Sequence, residues 1–164
     1  MVLAACTSPR VRPAAPPAHV TLLFSTEVRG YLGPCGCSEA MRGGLSRAAQ
    51  QVAETRREGQ PVHLIVAGDA TFGEAVIHEE AVAQQERKAR ALAEGWKAMG
   101  IGVWAPGPLD DVRGEAFRRN LGLPELADES LRVFDGVGVV RAADVPRALA
   151  LAKQLDDYNN GKIG

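Results

Sequence analysis

Three short apolar runs, separated by two stretches of helical periodicity, limit what this chain can become. The first is His19-Val20-Thr21-Leu22-Leu23-Phe24-Ser25, the second Val62-His63-Leu64-Ile65-Val66-Ala67, and the third Ile101-Gly102-Val103-Trp104-Ala105. Each is short, largely apolar and bounded by turn-forming residues, which reads as a buried strand. Between the first two, apolar Leu45, Ala48, Ala49 and Val52 recur at helical spacing, with Arg47, Gln51 and Glu54 on other faces. That predicts an amphipathic helix over 45–57, ended by Gly59 and Pro61. A longer helix is expected from about Gly73 to Met99, with Ala89, Leu92, Trp96 and Met99 sharing a face and Gly100 stopping it. Strand, helix, strand, helix, strand predicts an α/β domain with a mostly parallel sheet flanked by helices. Such folds bind ligands outside the carboxyl ends of their strands. The loops over 27–44, 68–73 and 106–114 therefore form the candidate site.

The remainder is expected to hold smaller elements. A short helix is read around 113–120. Leu131-Arg132-Val133-Phe134 and Val137-Gly138-Val139-Val140 would pair as a hairpin around Asp135-Gly136, a strong turn signal. Asp144 reads as the cap of a last helix, with Pro146 in its first turn and Leu149, Ala152 and Leu155 at helical spacing. A polar tail is expected over 156–164, so the domain is read as 19–155. With 164 residues, the chain is long enough for one domain with a real core. Its 19 Lys and Arg against 20 Asp and Glu give a net charge of -1, which offers no electrostatic case for nucleic-acid binding. No apolar run is long enough to span a bilayer.

The three cysteines, Cys6, Cys35 and Cys37, cannot all pair with one another. Leu3-Ala4-Ala5-Cys6 resembles the lipobox of bacterial lipoproteins, in which the cysteine is lipidated. The Pro/Ala-rich stretch after it suits an extended tether, so 1–18 reads as a lipoprotein signal remnant and tether that fix the chain to a membrane of the cell envelope. Only five residues precede Cys6 and none is positively charged. A secretory signal needs a charged region and an apolar run of about 7–15 residues, so either the natural start lies upstream or Cys6 is an ordinary terminal cysteine. Cys35 and Cys37 flank one glycine. Two thiolates so spaced suit a soft metal, a redox exchange or attachment to a partner; the alternative is a structural or inert pair.

The order Thr26-Glu27-Val28-Arg29-Gly30, Gly43-Gly44-Leu45-Ser46-Arg47, Ala67-Gly68-Asp69 and Met99-Gly100 through Trp104-Ala105-Pro106-Gly107 resembles the calcineurin-like metallophosphoesterases, and within them the bacterial 5'-nucleotidase-like proteins. The Cys-Gly-Cys insertion is similar to that of a subgroup of lipoproteins with that fold. The resemblance covers about 20–155 and implies the N-terminal half of an αββα sandwich. It further implies a two-metal centre (Mn, Zn, Fe or Mg) that hydrolyses phosphate esters, with Glu27, Asp69 and Asp110 at ligand positions. Glu27 stands where the family has Asp, Arg29 where it has His, and Pro108-Leu109 where it has Asn-His. Arg has no lone pair to give a metal. Arg29, with the backbone of Gly43 and Gly44, suits an anion instead; a solvated arginine and an ordinary Gly-Gly turn are the alternatives. Asp69 likewise reads, without the resemblance, as a turn or helix-cap residue. Two functions follow: metal-dependent hydrolysis of a small phosphate ester, or a non-catalytic lipoprotein acting through the Cys35/Cys37 loop. His63, inside an apolar strand, is expected to be a satisfied core histidine.

Overall fold

A computed structural model of the chain describes residues 19–34 and 43–159. Cys6, the tether, Cys35, Cys37 and the last five residues lie outside the described part. Strands β1 (Thr21–Thr26), β2 (Val62–Gly68) and β3 (Ile101–Pro106) form one parallel sheet in the order β1-β2-β3. Leu23 pairs with Leu64 and Phe24 with Ile65, and a register shift at Leu64/Ile65 brings Ile65 opposite Val103. Helices α1 (Leu45–Arg57) and α2 (Val82–Ala98) make the two crossovers. The short α3 (Glu115–Asn120) follows β3. Strands β4 (Ser130–Phe134) and β5 (Val137–Arg141) pair as an antiparallel hairpin, and α4 (Val145–Asn159) closes the described chain.

Alternation along the strands sorts the core into two layers. On one side, Leu64, Val66 and Trp104 meet Val52 of α1 and Leu92, Trp96 and Met99 around α2. On the other, Ile65 and Val103 meet Leu126, with Phe134 and Val139 of the hairpin against them. Helix α4 backs the hairpin: a Cβ on Gly138 would come within 2.8 Å of Leu155 Cδ2, so the bare glycine is what lets the helix approach. The layers run helix, parallel sheet, hairpin, helix, which matches the expected α/β fold with αββα layering. Leu92 and Val66 are wholly buried, and each such side chain contributes about 1.5–3 kcal/mol.

Several sequence expectations are met closely. Helix α1 has the expected bounds, and the α2 face is buried as its spacing implied. At the hairpin turn Asp135 and Gly136 have φ of 46° and 82°, the two positive values a type I′ turn requires. Asp144 Oδ1 accepts the Arg147 N–H at 2.8 Å and caps α4. His63 is satisfied: its Nε2 lies 2.9 Å from Asp135 Oδ2 and its ring stacks on Phe134 at 4.7 Å.

Three expectations change. The long helix does not start near Gly73; a 3-10 turn at Glu79–Ala81 leads into α2, and residues 73–78 form a loop. Among the described residues strand β1 is an edge strand rather than a buried one, and Phe24 is 63% exposed. The polar tail expected from Asp156 is helical through Asn159, since polar residues do not by themselves stop a helix.

Candidate functional site at the strand ends

Parallel pairing puts the carboxyl ends of β1, β2 and β3 at one edge, and the turns that follow are joined there by backbone bonds. Arg29 N donates to Asp69 O at 2.9 Å and Gly30 N to Ala70 O at 3.0 Å, extending the β1–β2 pairing into the loops. Gly107 N donates to Gly68 O at 3.2 Å and ties in the third turn. Two glycines allow this closeness. A Cβ on Gly107 would lie 2.7 Å from Asp69 N and 2.8 Å from Gly68 C, both rigid backbone atoms. Gly68 has φ of 75°, and a Cβ there would strike the Glu27 carboxylate. Glu27 and Arg29 themselves hold φ of 52° and 50°, a region that non-glycine residues enter at a cost and that clusters at ligand clamps and switches.

Asp110 is the centre of the edge. Its side chain is fully buried, as is that of Thr71. Oδ1 accepts the Thr71 N–H at 2.7 Å, the Thr71 hydroxyl at 2.6 Å and the Ala70 N–H at 3.1 Å. Oδ2 accepts the Gly107 N–H at 2.9 Å and shares the Ala70 N–H at 3.3 Å. Burial pushes this carboxyl above its ordinary value, while the donors from Thr71, Gly107 and Ala70 pull it back. Both oxygens thus join the turn after β2 to the turn after β3.

Glu27 and Asp69 are bound more loosely. Glu27 Oε2 pairs with Arg29 Nε at 3.2 Å in the open, and its Oε1 accepts the Asp69 N–H at 3.3 Å. Asp69 is half-buried, and its Oδ1 accepts the Leu109 N–H at 2.8 Å. The three residues read from the sequence lie at one sheet edge, each carboxylate bonded to a backbone N–H.

The expected anion-binding group is divided. Gly43 and Gly44 precede α1 and line a cavity of about 650 Å³ together with Glu27, Tyr31 and Trp96. Arg29 lines a separate cavity of about 210 Å³ with Phe72, His78 and Lys88. Tyr31 borders both. Pro34 and Gly44 are packed together, since a Cβ on Gly44 would lie 2.7 Å from Pro34 N, and Leu45 N donates to Leu32 O at 3.0 Å. Leu32 and Pro34 thus lie against Gly44 and Leu45 at the start of α1.

Among the described residues, the strand-end side chains do not supply the donor set of a dinuclear metal centre. Asp110 has both oxygens engaged by N–H and O–H donors, a guanidinium stands at Arg29, and Pro108-Leu109 offers no side-chain donor. Among the described residues no three His, Cys, Asp or Glu side chains gather to hold a metal. Sequence reasoning missed Thr71, His78 and Lys88. Thr71 gave no signal because its partner is 39 residues away, and Lys88 sits at a polar helical position like any solvated lysine. The chain matches no protein-family model and no curated protein sequence.

Proposed function

We propose that this chain is a divergent, metallophosphoesterase-like lipoprotein domain of the cell envelope that works without hydrolysis, its carboxylates having become loop fasteners. The observation that carries the reading is Asp110: a fully buried carboxylate whose two oxygens already accept three backbone N–H groups and a hydroxyl is engaged in holding the turns together. In this reading Cys6 is the lipid anchor and the rim is a binding surface. The Cys35/Cys37 segment takes a metal, a redox partner or a protein. Metal-dependent phosphoester hydrolysis is the competing reading. It is favoured by Glu27 and Asp69 lying side by side, with Asp69 N donating to Glu27 Oε1.

The deciding experiment loads the full chain with Mn or Zn and follows phosphate release from a generic aryl phosphate. The expected result is a rate equal to that of the metal-free sample, in wild type and in Asp69→Asn alike. Metal-dependent release that disappears in Asp69→Asn would overturn the proposal and establish the hydrolase reading.

A further inference from the structure

We propose that the cavity between the Arg29 turn and α2 binds a small phosphate-bearing dianion, held by Arg29, Lys88 and His78. The cavity measures about 210 Å³, below the size of a typical drug-sized pocket of roughly 300–1,000 Å³, so it suits a phosphate group with a small organic body. Its cations are available. Three other cations on α2 or bonded to it are committed to carboxylates: Arg90 and Arg113 to Glu86, and Lys97 to Glu94. Lys88, half-buried on α2, has no carboxylate partner among the described residues; its ammonium lies 6.0 Å above the Tyr31 ring. Arg29 gives only Nε to Glu27, which leaves the two terminal nitrogens of its fork without a bonded partner among the described residues.

The chain holds Arg29 in position. Its N–H is bonded to Asp69 O, and Gly73 sits so close that a Cβ there would come 2.9 Å from Arg29 O. A guanidinium fork suits two phosphate oxygens, and a lysine adds a point charge. Two permanent cations face one lining carboxylate, Glu74, which is exposed. Buried Phe72 and exposed Tyr31 give an aromatic flank for the ligand's organic part. The phosphate can come from a soluble monoester or from a lipid whose headgroup is itself a phosphomonoester, such as phosphatidic acid, since both present the same group.

The test uses the full chain labelled with ¹⁵N, in buffer containing EDTA. Inorganic phosphate, glycerol phosphate and vesicles containing phosphatidic acid are added separately. The expected result is saturable movement of the amide signals of Arg29, Gly73 and Lys88, at dissociation constants near or below about 1 mM for at least one probe. Lys88→Ala and Arg29→Gln should each weaken that binding about tenfold, Lys88→Arg should restore it, and the melting temperature of each variant confirms folding. Response to the soluble probes assigns a small-molecule ligand, and response to vesicles alone assigns a lipid headgroup; both support the proposal. No saturable response to any probe, or equal binding by Lys88→Ala, overturns it. With EDTA present and no catalytic readout, failure here leaves the proposal about the rim carboxylates standing, and metal-dependent hydrolysis would not rescue this one.

Discussion

Asp110→Ala should be among the most destabilising single substitutions in this domain, although it removes no apolar contact. Ala70 and Thr71 are fully buried, and the substitution leaves their N–H groups without an acceptor. Each orphaned buried donor costs about 1–3 kcal/mol. Gly107 is only half-buried and can regain water, and the Thr71 hydroxyl can rotate toward another acceptor, so both add less. The total is about 3–5 kcal/mol, a large share of the ~5–15 kcal/mol that holds a domain of this kind together. With a urea slope of about 2 kcal/mol/M, the unfolding midpoint should fall by about 2 M. Asp69→Ala is the control. It frees one amide, Leu109 N, at a half-buried position, and should cost about 1 kcal/mol. Urea unfolding followed by circular dichroism measures both. If Asp110→Ala lies within about 1 kcal/mol of wild type, or Asp69→Ala costs more than Asp110→Ala, the reasoning that makes Asp110 the fastener is wrong.

Three further outcomes follow from the same geometry. Burial holds the Asp110 carboxyl above its ordinary value, so the folded chain binds that proton more tightly than the unfolded one. Its contribution is therefore full below the unfolded value, near ~3.9, and is lost as pH rises through the folded value; the stability gap between wild type and Asp110→Asn should narrow over that range, and a widening gap would show the amide donors outweighing burial. Gly107→Ala should cost at least about 1–3 kcal/mol by overpacking, because the new methyl meets backbone of Gly68 and Asp69, and an unchanged melting temperature would refute that close approach. Asp144→Ala should lose about 1 kcal/mol in urea unfolding by uncapping α4, with Asp144→Asn retaining most of it.

What the sequence could convey depended on whether the signal was local. Helix α1 repeats its apolar face over thirteen residues and ends at charged and glycine residues, so its bounds were readable. The hairpin turn was readable because Asp135-Gly136 is one of few pairs that accept two positive φ values. The start of α2 was misplaced because residues 74–81 hold no glycine or proline to mark a break; Val76 is 73% exposed, in a loop that borders the Arg29 cavity. Periodicity is blind to that use of an apolar residue. Strand β1 reads as buried by composition, and only sheet order leaves it at an edge. The meeting of Glu27, Asp69 and Asp110 at one edge followed from parallel strand topology. Their bonding partners did not, because amides of Ala70 and Thr71 reach Asp110 across about forty residues of chain, and no local pattern encodes which way a carboxylate turns.

The most direct measurement of the central claim is a ¹H–¹⁵N spectrum of the full chain titrated with Mn²⁺, a paramagnetic ion that prefers hard oxygen ligands. With Asp110 fully engaged as a fastener, the amides of Ala70, Thr71 and Gly107 should exchange slowly and keep their line widths at stoichiometric metal. Selective broadening of those three signals would place an ion among the strand-end carboxylates and contradict the account.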